Sequence, residues 1–365
     1  MRGFRLCLAL MIVMSCAPRG EFTKVPEGAG SLMPEAIFVG TTRQSEGGAY
    51  TRARADRASF VRYDISIPTE RKPGEINWPP RTRKPDPSMD FLALNETRYP
   101  SASDFRGSLR AAMELRAQSS AVVYVHGFNT TMAEGVYRVA QMHHDLEVPG
   151  VAIHYAWPSR GSPLAYVYDR DSALFGRGGF EQLLNEVSDS GAKEIVIVAH
   201  SMGCALTMET LRQMTLRNNS KVMSRIKGVV LISPDLDVDV FRSQAREIGK
   251  LPEPFVIFGS TKDKVLGLSA RISGSADRLG NLEDVSRISD LKVTYFDTAA
   301  FDVGAGHFNA GTSPALLSLL SGILGIDAAF RSDARSRVGL LQGLVLTVRR
   351  TTEIILAPVG AITEQ

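Results

Sequence analysis

Six short apolar runs, at residues 121–125, 151–156, 194–199, 228–233, 254–259 and 291–296, recur along the chain. Most are separated by stretches of helical length and period, such as 202–217. The runs are rich in Val and Ile and lack a regular polar alternation, so both faces of each expected strand must be buried. Strands of that kind joined by helices predict a mostly parallel central sheet with helices on both faces. Ahead of this rhythm, residues 36–39 read as a short strand, 59–67 alternate like a half-buried one, and 104–118 read as a helix. Residues 68–87 hold six of the eighteen prolines among Arg and Lys, which predicts an extended surface excursion. No internal repeat is visible. The fold class is therefore α/β.

The first sixteen residues stand outside this pattern. Arg2 and Arg5 form a positive start, and residues 6–14 a short apolar stretch. That stretch is far below the roughly 20 residues of a membrane-spanning helix, so residues 1–15 are expected to be an export signal. It ends in Val13-Met14-Ser15-Cys16, similar to a bacterial lipobox in which the cysteine becomes the lipidated first residue, although Met14 is unusual at its place. An ordinary secretory signal cut after Ala17 or later is the other reading. With Cys16 lipidated, the protein is expected in the cell envelope; Ala17 in place of Asp favours the outer membrane, and a periplasmic location is the alternative. Residues 16–34 have little apolar pattern and are expected to be a flexible tether.

Composition narrows the function classes. Of 365 residues, 44% are hydrophobic and 22% charged, with a net charge of +3, which excludes a disordered chain, a fibre and a polytopic membrane protein. No basic stripe suggests a nucleic-acid partner. The three cysteines, Cys7, Cys16 and Cys204, make no disulfide framework.

The candidate chemistry begins where Glu194-Ile-Val-Ile-Val runs into Ala199-His-Ser-Met-Gly203, with a helix expected at once. This is similar to the nucleophile elbow of the α/β-hydrolases, usually Gly-x-Ser-x-Gly, with Ala199 as a small replacement for the first glycine. Small residues two before and two after Ser201 let strand and helix meet while the hydroxyl stands clear. The backbone N–H of Met202, at the helix start, would face a developing oxyanion. A plain helix N-cap is the other job for a serine in this place. A second segment, Val122-Val-Tyr-Val-His-Gly-Phe-Asn129, resembles the oxyanion loop of the same superfamily, with the Phe128 amide as second donor. Gly127 would let backbone approach a tetrahedral intermediate, and His126 would tie down the loop. In the family's order of serine, acid, histidine, only His307 of the six histidines follows Ser201, which makes it the expected base. Asp263, just beyond 254–259, is the expected acid. Asp235, in Ser233-Pro-Asp-Leu-Asp-Val-Asp-Val-Phe241, is the reserve.

Further segments complete a resemblance covering roughly residues 35–325. They are Phe38-Val-Gly-Thr-Thr-Arg43, Pro68 with Pro73-Gly-Glu75, Ala156-Trp-Pro-Ser159 and Lys262-Asp-Lys-Val-Leu266. With the elbow and the oxyanion loop they resemble a bacterial branch of the α/β-hydrolases catalogued mainly as a family of unknown function. The resemblance implies an α/β-hydrolase domain over 35–325 and a serine hydrolase without a settled substrate. Residues 326–365 are expected to be a helical extension, since the apolar stretch 338–347 is about half a membrane span.

The expected activity is hydrolysis of carboxylic esters or thioesters, on a small-molecule or lipid substrate, through an acyl-enzyme on Ser201. No metal or other cofactor is called for. An acyltransferase and a non-catalytic envelope lipoprotein using the fold as a binding scaffold are the alternatives. Other features carry no expected chemistry. His143-His144-Asp145 reads as a helix end, and Cys204 as a small core residue. Trp157 is either packing or pocket rim, and 158–179 either a lid or an ordered crossover.

Overall fold

A computed structural model describes residues 20–27, 33–274, 277–299, 347–349 and 352–355. β1 (Glu35–Glu46) and β2 (Ala49–Ser66) form a hairpin closed by Gly47-Gly48, both at positive φ, as a two-residue turn between twisted strands requires. β3 (Leu92–Tyr99) pairs antiparallel with β2. The six apolar runs become β4 (Ser120–Val125), β5 (Val151–Ala156), β6 (Glu194–His200), β7 (Ile226–Ile232), β8 (Phe255–Gly259) and β9 (Thr294–Asp297). All pair in parallel, and β1 joins them beside β5. Among the described residues the sheet has the order β10-β11-β9-β8-β7-β6-β4-β5-β1-β2-β3, where β10 is Thr347–Arg349 and β11 is Thr352–Ile355.

Alternate side chains of each strand feed two separate apolar cores. Val123, Ile153, Ile197 and Leu231 point to one face, and Tyr124, Ala152, Val198 and Val230 to the other. α1 (Ala102–Leu115), α3 (Tyr166–Asp189), α4 (Met202–Leu216) and α6 (Val238–Ile248) cover the first face with Phe105, Phe180, Leu211 and Phe241. α2 (Met132–Asp145) covers the second with Val136, Tyr137 and Ala140. A short α5 (Ser220–Met223) precedes β7, and α7 (Lys264–Ser273) follows β8. Among the described residues no helix is long and apolar enough to cross a membrane.

The sheet order fixes where a site can form. β5 lies on one side of β4 and β6 on the other, so the chain reverses its direction of winding at β4. Connections leaving the two carboxyl ends diverge there and open a crevice. Val125 pairs opposite Ala199, so His126-Gly127 and His200-Ser201 emerge side by side at that crevice.

Several expectations need correction. β2 is twice the expected length and β3 was not expected, because both carry charged residues on a partly exposed sheet edge. Of the two readings of 158–179, the structure favours the ordered crossover, because from Tyr166 the segment is the first part of the 24-residue α3, with Asp169, Ser172, Ala173 and Gly176 buried. The tether is not free over its described part. Val25 donates to Ala93 O, Ala93 donates to Thr23 O, and the Phe22 ring stacks on Tyr63 at 4.4 Å, so ladder bonds and aromatic burial hold this stretch on the domain. β10 and β11 put strands inside 326–365, where helix was expected; β11 pairs in parallel with β9, whose edge groups it satisfies. The expected signal at 1–15, Cys16 and His307 lie outside the described residues.

Candidate active site

Ser201 sits between β6 and α4 at φ 52° and ψ −121°, a left-handed conformation that a residue with a Cβ rarely adopts. The turn is held from three sides. Ser201 N donates to Ile232 O at 2.9 Å, and Ser201 O accepts from Cys204 N at 3.0 Å and Asp235 N at 3.2 Å. Ser201 occupies the N-cap position of α4, yet its side chain makes no cap bond. The hydroxyl is thus spared the ordinary work of a serine at a helix start. Gly203 is required because a Cβ there would meet His126 O at 2.4 Å and Val125 O at 2.6 Å, both rigid backbone atoms.

The loop after β4 closes on the same side chain. A Cβ on Gly127 would lie 2.8 Å from the Ser201 Cβ, so only glycine allows this approach. Met202 and Phe128, the expected oxyanion donors, therefore belong to two segments that meet at Ser201. His126 is fully buried, with Nδ1 2.9 Å from Gly127 O and Nε2 3.0 Å from Trp157 O. Burial pushes its pKa well below the usual histidine value while the two carbonyls pull it back, and the ring braces the loop between them. Trp157 is packing: its ring stacks on His126 at 4.6 Å, its Nε1 donates to His126 O at 2.7 Å, and it has no exposed surface.

Sequence reasoning missed the clamp behind this loop. Asp169, in the first turn of α3, is wholly buried. Its Oδ2 accepts from Asn129 N at 3.0 Å and Ser159 Oγ at 2.6 Å, and its Oδ1 from Arg160 N at 2.6 Å. Arg43 lies beside register shifts in β1, and its guanidinium donates to Ser159 O and Thr130 O at 2.9 Å each. Burial pulls the Arg43 pKa down to about 10 while Asp169 pulls it up, so Arg43 stays charged at neutral pH. Arg43, Asn129 and Ser159 all stood in segments carrying the resemblance. Asp169 gave no signal, since its partners are scattered along the chain.

Both candidate acids lie at carboxyl ends of strands. Asp263, after β8, is 3% exposed and caps α7, with Oδ1 accepting from Val265 N and Leu266 N at 3.0 Å each. Asp235, after β7, accepts from Tyr166 Oη at 2.9 Å and from Ser269 Oγ, with Arg278 Nε 3.3 Å away. Asp237 caps α6. The structure thus brings together Ser201, both oxyanion segments and Asp235, and sets Asp263 on the neighbouring strand end; the base, His307, falls outside the described residues. His143 pairs with Glu35 at 3.0 Å, and Asp145 accepts from Arg71, Gly74 N and Gln141, so this helix end is structural. Among the described residues no group of side chains could hold a metal. Cys204 is buried in the core.

Residues 101–302, more than half of the chain, match the family described as alpha/beta hydrolase of unknown function (DUF900). The chain belongs to this family. The DUF900 match runs from the start of α1 to just past β9 and includes Ser201, Gly127, Asp235 and Asp263. No curated protein matches the chain in sequence. Solved structures similar to it include a Rhizomucor miehei esterase, with 12% identity, 89% of this chain and 97% of that one covered, and a TM-score of 0.42. An esterase from Pyrobaculum calidifontis shows 11% identity, coverage of 82% and 88%, and a TM-score of 0.37. Aspergillus fumigatus lipase B shows 15%, coverage of 63% and 58%, and 0.40. At such distances they say nothing about what this DUF900 member acts on.

Proposed function

We propose that the chain is an exported serine hydrolase that cleaves carboxylic esters or thioesters through an acyl-enzyme on Ser201. The observation that carries this reading is the left-handed Ser201, with its hydroxyl free of capping and Gly127 packed on its Cβ. In the reaction Ser201 Oγ attacks the acyl carbon and His307 takes its proton. The carbonyl oxygen, now negative, accepts hydrogen bonds from the Met202 and Phe128 amides. The bond to the leaving alcohol or thiol breaks as His307 returns the proton, and water repeats the sequence to free the acid.

Asp263 serves His307 better than Asp235 does. Asp263 follows β8 at the carboxyl edge of the sheet, where an imidazole carried by a later loop can reach it. Asp235 already spreads both oxygens over Tyr166, Ser269 and Arg278. Hydrolysis of p-nitrophenyl esters of rising chain length tests the activity and these roles together. His307→Ala is expected to cost several orders of magnitude and Asp263→Asn roughly three to four, with Asp235→Asn costing far less. A loss of only a few fold for His307→Ala points to another base. If the two Asp variants exchange outcomes, the acid lies one strand earlier.

The envelope location rests on Cys16 as a lipid attachment point, which holds the enzyme at a bacterial membrane surface, in our reading the outer membrane. Cys16→Ser is expected to move the protein from washed membranes to the soluble fraction. Retention on membranes after that change contradicts a lipid anchor.

A further inference from the structure

A groove of about 480 Å³ opens beside the elbow, between α3, α4 and α6. Three of its lining residues tie it to the reacting centre. Met202 carries one of the two oxyanion amides, Tyr166 packs edge-on against Phe128 at 5.5 Å, and Asp235 donates its backbone N–H to Ser201 O. Ala173, Leu206 and Leu236 give it an apolar floor. Against that floor two buried side chains have unmet hydrogen-bonding capacity of opposite kinds. Arg278, 6% exposed, turns Nε towards Asp235 Oδ1 at 3.3 Å as an ion pair, and its Nη2 has no hydrogen-bond partner. Gln244, 8% exposed, has none on Oε1, while its Nε2 donates to Glu209. Arg278 is anchored in place, since its N–H donates to Asn281 Oδ1 at 3.0 Å and Leu279 N donates to Leu236 O at 2.8 Å.

Buried donors and acceptors are rarely left unpaired, and an unpaired one costs stability, more so when charged. A group entering the groove can therefore gain from both. Charge decides what kind of group. Arg278 is already balanced by Asp235 at 3.3 Å, and of the other charged residues lining the groove Asp171, Glu209 and Asp237 outnumber Arg170, so an anion is disfavoured. A cation would meet the guanidinium donors with the wrong sign. A hydroxyl is neutral, accepts through its oxygen and donates through its proton, which matches both unmet groups.

We propose that this groove is the recognition subsite of the Ser201 centre and takes a neutral, hydroxyl-bearing part of the ester. Its hydroxyl oxygens accept from Arg278, and a hydroxyl proton is given to Gln244 Oε1. The turnover arm of the test rests on Ser201 being the nucleophile; the binding arm does not.

Two matched pairs distinguish hydroxyls on the alcohol side from hydroxyls on the acyl side. The first is glycerol monobutyrate against propyl butyrate. The second is p-nitrophenyl 6-hydroxyhexanoate against p-nitrophenyl hexanoate. In one pair kcat/KM is expected to favour the hydroxylated ester by about tenfold or more, because the apolar partner leaves buried polar groups unmet. Arg278→Met and Gln244→Leu should each collapse that ratio towards one. Gln244→Leu keeps the test alive if Arg278→Met, which strands Asp235, folds poorly. In the binding arm, saturation-transfer NMR with the Ser201→Ala protein should show the preferred hydroxylated ester bound, and about tenfold more weakly once Gln244→Leu is added. Equal rates within both pairs, as water filling the groove would give, overturn the proposal, as does a preference intact in both variants. Gln244-dependent binding without turnover of any ester keeps the groove and rejects the hydrolase reading. Absence of binding rejects the groove whatever the turnover shows.

Discussion

Ser201→Ala is expected to lower ester hydrolysis by about 10⁴-fold or more, with the fold unchanged. The two halves of that expectation have separate physical grounds. The rate falls because the Ser201 hydroxyl is the attacking group in this account, and without it only residual stabilisation by the oxyanion amides remains. The fold survives because the lost hydroxyl makes no cap bond, while the bonds that hold the turn run through the Ser201 backbone to Ile232, Cys204 and Asp235. Alanine keeps the same Cβ at the same φ, so it adds no strain. Turnover of a p-nitrophenyl ester, measured beside a thermal melt, separates the two. A variant that melts early and is inactive for that reason would leave the description of the turn wrong.

Asp169→Ala is expected to destabilise the domain by about 3–5 kcal/mol, because three hydrogen bonds to a buried carboxylate are lost at roughly 1–3 kcal/mol each. Removal of the carboxylate strands the Asn129 and Arg160 amides and the buried Ser159 hydroxyl, and takes away the negative charge nearest the buried Arg43. At roughly 2–4 °C per kcal/mol for a domain of this size, the melting temperature should fall by about 10 °C. The loop bearing Gly127 and Phe128 is pinned through Asn129, so kcat should also fall at temperatures where the variant is folded, with KM changed less. A melt within about 2 °C of the parent would show that the clamp holds nothing. Asp169→Asn keeps the shape and should lie between the two.

What the sequence made legible were features written in consecutive residues. The apolar runs became parallel strands within about three residues of their expected bounds, and the elbow announced its strand, turn and helix because all three are local. Gly203 and Gly127 could be read as close-approach positions before the atoms they meet were known. β3 was hidden because Leu92–Tyr99 is largely polar, as befits a strand at the edge of a sheet. The first half of β2 was hidden for the same reason, its Arg and Asp side chains lying on a surface that a period-two pattern of burial does not mark. Phe22 is a lone aromatic in a polar stretch, and nothing local says that Tyr63 and Tyr137 wait for it. Asp169 is the sharpest case. A carboxylate near the start of a helix is ordinarily a solvated, dipole-friendly choice. It becomes the centre of a clamp only because β1, the oxyanion loop and the turn at Ser159 fold onto it.

The most direct test of the central claim is to treat the purified protein with a fluorophosphonate and locate the adduct by peptide mass spectrometry. One phosphonyl group on the peptide bearing Ser201, absent from the Ser201→Ala protein and slowed by orders of magnitude in His307→Ala, is the predicted result. An unmodified Ser201 in a folded protein, or an adduct that persists in Ser201→Ala, would contradict it.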